Sequence, residues 1–196
     1  LLKYLETYNK KNGTNIKLFH AFCMATGKTL YVRPKMNIFI AGRRFYQRKD
    51  ITLSFVAKQY FADEAVETLM CLKIDPKDTL LTISSRILGD VTRARTNGSN
   101  DLDKTMDFVG NLPRWILEIL FWILKKLEYF GIFPESLMKG DPNYSSALLS
   151  NLGSIRGVSC YHHLSNYGTC SIMVTIGTIF QEGVKQILPV TFTFDE

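Results

Sequence analysis

Apolar residues recur along this chain with two periods, and the two are kept in separate stretches. Leu1, Leu5 and Tyr8 share one helical face, and Asn12-Gly13 marks a stop, so 1–12 is expected to be helical. Ile16, Phe19, Cys23 and Leu30 give a second helix over 16–31, ended by Pro34. A β-rich stretch follows: Met36–Ala41, a turn at Gly42, Arg43–Gln47, Thr52–Phe61, a hairpin tip at Asp63-Glu64, and Val66–Ile74. Asp75-Pro76 is expected to open a helix running to about Arg95, with Asp75 as cap and Leu80, Ile83, Ile87 and Val91 as its buried face. After a loop at Asn97–Asp101, Pro113 starts a helix to Phe130. The last third returns to strands at Ser146–Leu149, Cys170–Ile176 and Ile187–Phe194. In the last of these, Val190, Phe192 and Phe194 alternate with Thr191 and Thr193, which predicts one buried and one polar face. Such segregation predicts an α+β fold, a sheet with helices packed on it, rather than a doubly wound parallel sheet.

Composition narrows the function classes. With 196 residues, 46% hydrophobic and 21% charged, the chain fits one globular domain and not a disordered tail. The formal charge of +6 suits anionic partners, yet the basic residues fall in short clusters (Lys10-Lys11, Arg43-Arg44, Lys125-Lys126) that read as solvated surface. No nucleic-acid motif accompanies them. Cys23, Cys71, Cys160 and Cys170 show no Cys-x-x-Cys spacing, so free thiols and no metal site are expected. No signal peptide is visible, and the chain reads as a cytoplasmic protein trimmed at both ends.

The segment 111–134 stands apart as an apolar helical insert. Between Pro113 and Pro134, Glu118, Lys125 and Glu128 form a narrow polar stripe in a mostly apolar run. It is too short and too charged for a spanning helix, which needs about 20 apolar residues. A core or subunit-interface helix is expected; membrane-surface contact through 113–130, or a lid over an acyl channel, are the alternatives.

Two landmarks point to chemistry. One is Ser150-Asn151-Leu152-Gly153, and the other is the closing strand Leu188-Pro189-Val190-Thr191-Phe192-Thr193-Phe194-Asp195-Glu196. In this order they resemble the chloramphenicol acetyltransferase-like superfamily, above all the catalytic core of 2-oxo acid dehydrogenase (dihydrolipoamide) acyltransferases. Arg33-Pro34-Lys35-Met36-Asn37 after the second helix fits the same pattern. The resemblance implies a trimer with a site at each subunit interface, coenzyme A or acyl-coenzyme A as substrate, a small acyl acceptor, and no metal. It places Ser150 as the hydroxyl that stabilises the oxyanion, with Asn151 beside the substrate. No lipoyl-bearing lysine is seen.

The pattern departs at the base. The family's catalytic histidine falls on Glu196, and an ordinary Glu, with a pKa of about 4.3, is a weak base toward a thiol near 8.5. Three readings fit: an acyltransferase that uses Glu196 or a relocated base, a degenerate trimeric scaffold or binding module, or a different strand register at the cut end. His162-His163 is the one histidine pair, and either residue is a candidate to line the substrate channel, although neighbours on a strand point to opposite faces. His20 reads as a satisfied helix-face residue, Arg156 as an isolated candidate for a coenzyme phosphate, and Gly168 as a turn glycine or a point of close approach.

Overall fold

A computed structural model describes residues 1–58, 67–97, 109–138 and 140–195. Helices α1 (Leu2–Asn12) and α2 (Leu18–Val32) come first. Gly13 closes α1 in the left-handed conformation at φ 62°, as Asn12-Gly13 predicts. A short 3-10 turn at Pro34–Met36 takes up Met36, which the sequence had suggested for a strand. Strands β1 (Ile38–Ala41) and β2 (Arg44–Gln47) then pair as a hairpin. Its two loop residues, Gly42 and Arg43, have φ of 56° and 61°, the signature of a type I′ turn.

The main sheet has five strands in the order β4-β3-β5-β6-β9. These are β3 (Ile51–Lys58), β4 (Glu67–Ile74), β5 (Ala147–Asn151), β6 (Ile172–Ile176) and β9 (Val190–Phe194). The pairings β3–β5 and β5–β6 are parallel; β3–β4 and β6–β9 are antiparallel. The sheet is therefore mixed, and the α+β expectation holds. The hairpin tip expected at Asp63-Glu64 and the loop 98–101 lie outside the described residues.

Register separates the two faces of this sheet. Ile51, Leu53 and Phe55 stand opposite Ile74, Leu72 and Met70, and continue through Ala147 and Leu149 to Val174. This face is buried against α2 and α3 (Leu80–Asn97) through Cys23, Leu30, Ile83 and Ile87. Gly27 allows the fit: a Cβ there would lie 2.8 Å from the Ile74 Cγ2. Alternation puts hydroxyls on the opposite face, among them Thr52, Ser54, Ser150, Thr175 and Thr191.

Three expectations need correcting. Helix α3 starts at Leu80, not at Asp75-Pro76, because Pro76 sits in a turn and the Thr79 hydroxyl accepts from the Thr82 N–H (3.3 Å). Ile83 and Ile87 are buried as expected, whereas Leu80 and Val91 are half-buried. The strand expected over Ile187–Phe194 is two strands. Leu188-Pro189 divides β8 (Lys185–Ile187), which pairs with β7 (Phe180–Glu182), from β9 on the main sheet. A proline has no N–H for the ladder. Phe192 and Phe194 do share the α2 side with Val190, but at 48% and 46% exposure they line an open groove rather than a closed core.

The apolar segment forms α4 (Arg114–Tyr129), followed by one turn, α5 (Glu135–Met138). No residue of α4 is fully buried, so in the single chain it is not a core helix. Phe121 anchors it edge-on to Tyr167 (5.8 Å), whose ring meets Tyr144 (5.6 Å). Among the described residues no helix is long and apolar enough to cross a membrane.

Candidate functional site

Ser150 is the penultimate residue of β5, at the end where the strand turns into a 3-10 helix (Leu152–Ile155). It is half-buried and stands level with Thr175 of β6, which stands level with Thr191 of β9. Among the described residues no hydrogen bond engages its hydroxyl, whereas Thr175 is fully occupied. The Thr175 Oγ1 donates to the Cys160 carbonyl (2.6 Å) and accepts from the Cys160 N–H (3.2 Å). The segment leaving the 3-10 helix is thus tied across the hydroxyl face, close to Ser150.

The backbone around Ser150 is tightly fitted. A Cβ on Gly153 would lie 2.6 Å from the Gly177 carbonyl oxygen, and one on Gly177 would lie 2.5 Å from the Ser159 nitrogen. Thr178 donates to the Gly157 carbonyl through both its N–H and its hydroxyl, each at 2.9 Å. Two glycines in van der Waals register hold the turn after Ser150 against the end of β6. The motif glycine is needed for packing, whatever the hydroxyl does.

Asn151 caps the strand, is exposed, and accepts from the Ser154 hydroxyl through its carbonyl (2.7 Å). His162 and His163 lie in an exposed irregular segment, not on a strand, two and three residues beyond the Cys160 anchor. The opposite-face expectation therefore does not apply to them. The His162 Nδ1 is engaged with the His163 carbonyl at 2.6 Å, which leaves its Nε2 as the outward nitrogen. Arg156 is exposed, in a left-handed turn at φ 60°. Gly168 is a point of close approach, and the partner is the chain itself: the Asn143 carbonyl accepts from Thr169 (2.8 Å) and Cys170 (2.7 Å) just where a Cβ would intrude.

Glu196 lies outside the described residues. The last described residue, Asp195, donates its N–H to the Ser171 carbonyl (3.0 Å), just before β6 begins. Because β9 runs antiparallel to β6, Asp195 is four residues past the level of Ser150, about 13 Å along the strand. Ser150 and the end of β9 do not converge within one chain.

His20 is buried on α2. Its Nδ1 accepts from the Lys17 N–H (3.2 Å) and meets the Ser84 hydroxyl at 2.8 Å, so it is a satisfied structural residue, as the sequence suggests. Burial, then the Lys17 charge, pushes its pKa down to about 4. Burial pushes the Cys23 and Cys71 thiols up to about 12. Among the described residues no three His, Cys, Asp or Glu side chains converge where a metal ion would sit. Thr175 and Gly177 are the neighbours that sequence reasoning missed. The lone hydroxyl in Ile-Met-Val-Thr-Ile was the available signal.

No protein-family model and no curated protein sequence matches the chain. Solved structures do. One is the Azotobacter vinelandii dihydrolipoamide acetyltransferase, crystallised to investigate the roles of a serine, a histidine and an asparagine in its mechanism. It has a TM-score of 0.62 and 12% identity, over 98% of this chain and 65% of that one. A truncated catalytic core of the Thermoplasma acidophilum 2-oxoacid dehydrogenase complex gives 0.63 and 12%, over 98% and 71%. A chloramphenicol acetyltransferase gives 0.53 and 12%, over 97% and 72%. The chain thus spans about 65% of the first of these structures. Its mixed sheet with helices on one face has the chloramphenicol acetyltransferase-like fold, shared with the dihydrolipoamide acetyltransferase cores.

Proposed function

We propose that this is a coenzyme-A-linked acyltransferase-like domain that works as a homotrimer, with each site assembled where two copies meet. The separation of Ser150 from the end of β9 carries the reading. A hydroxyl without a hydrogen-bond partner among the described residues lies at one end of the sheet, and the proposed base follows β9 at the other end, so in this reading they meet only between copies.

In this reading Glu196 of one copy takes the proton from an acceptor thiol. The thiolate attacks the acyl carbonyl of a thioester, a C–S bond forms, and the carbonyl oxygen becomes an oxyanion. The Ser150 hydroxyl of the neighbouring copy donates to that oxygen, a contribution of about 3 kcal/mol when such a donor is preorganised. Collapse expels the donor thiolate, which recovers the proton from Glu196. Asn151, His162 and His163 line the substrate side, near the Cys160–Thr175 anchor. Acyl-coenzyme A is the donor, and the thiols of all four cysteines, free among the described residues, suit a cytoplasmic setting.

A second reading, a non-catalytic trimeric scaffold or binding module, is favoured by the carboxylate at the base position, since proton transfer from a thiol to an ordinary Glu is uphill by about four pKa units. The deciding experiment measures thiol release from acetyl-coenzyme A with dihydrolipoamide, then with amine and alcohol acceptors. Activity lost in both Glu196→Ala and Ser150→Ala supports the acyltransferase. An inactive wild type that gains turnover as Glu196→His supports the scaffold.

A further inference from the structure

The apolar arc of α4 is wider than the protein covers. Ile116, Leu117, Leu120, Leu124 and Leu127 face inward and are half-buried. Trp115, Ile119, Trp122 and Ile123, spaced i, i+4, i+7 and i+8, form a second stripe that meets solvent. Both tryptophans of the chain are in it, 64% and 63% exposed.

The charges around the stripe are mostly positive. Arg114, Lys125 and Lys126 are exposed, and the one exposed carboxylate of α4, Glu118, is paired with Arg114 at 3.1 Å. At the C-terminal end the β1–β2 turn presses on α4, since a Cβ on Gly42 would run into the Tyr129 carbonyl oxygen. That contact brings in the exposed Arg43 and Arg44, and the cross-strand pair Ile40–Phe45, whose rims face solvent. The resulting face combines indole rings and aliphatic groups with an excess of cations, on a chain of net charge +6.

Lys126 decides between a protein and a lipid occupant. At 100° per residue it falls between Trp115 and Ile119, inside the stripe, with its ammonium 5.7 Å from the Trp122 ring. Protein interfaces exclude charge from their centres, because an unpaired ammonium there is desolvated. At a bilayer surface the same side chain reaches its ammonium out to phosphate while its stem stays among the acyl chains. Indole rings favour that boundary as well.

We propose that α4, together with the β1–β2 turn, is a docking face for an anionic membrane surface. The helix lies in the plane of the headgroups with Trp115, Ile119, Trp122 and Ile123 at the acyl boundary. Lys125, Lys126, Arg43 and Arg44 meet lipid phosphates. This inference does not depend on the acyltransferase reading.

The test is co-sedimentation of the full chain with vesicles of phosphatidylcholine containing about a quarter phosphatidylglycerol, against phosphatidylcholine alone. Expected is binding to the anionic vesicles that weakens in high salt, with tryptophan emission shifted to the blue and quenched by brominated lipid. Trp115→Glu/Trp122→Glu and Lys125→Glu/Lys126→Glu should each lower the partition coefficient about tenfold or more. Wild-type chain left in the supernatant with both vesicles overturns the proposal. So does binding without brominated-lipid quenching, a readout that needs no variant to fold. A tryptophan variant that keeps its melting temperature but changes oligomeric state by light scattering also overturns it, by showing that a second copy covers this face.

Discussion

Ser150 and Asp195 stand at opposite ends of one sheet. Ser150 is level with Thr175 and Thr191, and Asp195 follows Thr191 by four residues on an antiparallel strand. A site that needs both strand ends is therefore shared, and sharing has a numerical signature. When Ser150→Ala and Glu196→Ala chains, each inactive alone, are mixed in equal amounts and allowed to exchange subunits, roughly a quarter of interface sites pair an intact Ser150 with an intact Glu196. Activity should return to about that fraction of wild type. A mixture as dead as its components would place both residues in one chain's site, or in none.

Two glycines should respond to alanine with opposite signs. Gly153 faces a carbonyl oxygen that belongs to backbone and cannot swing away. Gly153→Ala is expected to cost about 2 kcal/mol. Gly89 sits on α3 with nothing within 4 Å of an added Cβ, and Gly89→Ala should raise stability by about 0.5–1 kcal/mol. Urea unfolding of both variants beside wild type checks the pair; equal shifts would mean that the turn after Ser150 has room to adjust.

His20 makes stability depend on pH. Its folded pKa is lowered to about 4, below the unfolded 6.5, so the unfolded chain binds the extra proton. The His20 contribution is fully present above about 6.5 and lost as pH falls toward about 4, amounting to at most about 3 kcal/mol. Thermal melts of His20→Gln against wild type between those values should converge as the pH drops. Parallel curves would remove His20 as the cause.

The start of α3 shows what was legible in sequence and what was not. Asp75-Pro76 carries the local marks of a helix start, yet Thr79 supplies the cap, because the helix must present Ile83 and Ile87 to α2 and the sheet. Local chemistry pointed to Asp75, and the folded chain places the cap at Thr79. Gly13 and the turn at Gly42 were legible because each needs a left-handed conformation that glycine favours, whereas Arg43, expected in the strand, shares that turn at φ 61°. The motif around Ser150 marked the place where β5 ends and the chain turns. The neighbours Thr175 and Cys160 were not legible, since a long-range strand pairing brings them there. The alternation in 190–194 was read with the right faces, but the burial of the phenylalanines was overestimated because β9 is an edge strand.

Arg48 joins three parts of the chain. Its guanidinium donates to the Tyr144 carbonyl (2.7 Å), to the Thr169 carbonyl (2.5 Å) and to the Thr169 hydroxyl (2.9 Å), and lies 4.7 Å from the centre of the Phe39 ring. A lysine cannot span that fork. Arg48→Lys should cost about 2–3 kcal/mol, and Arg48→Met somewhat more, with two carbonyls left unpaired. Denaturation midpoints give the values; a loss below about 0.5 kcal/mol in both variants would show that water replaces the guanidinium without penalty.

The parallel pairing of Leu53 with Ala147 closes a very long loop, for residues 75–146 all lie between β4 and β5. Closure entropy grows only with the logarithm of such a length, so extending the connection from roughly 50 to roughly 70 residues costs a few tenths of a kcal/mol. A segment the size of α4 is nearly free to arrive, to change or to leave. That connection is where this sheet can take up a change in chain length at little cost while the hydroxyl face stays as it is.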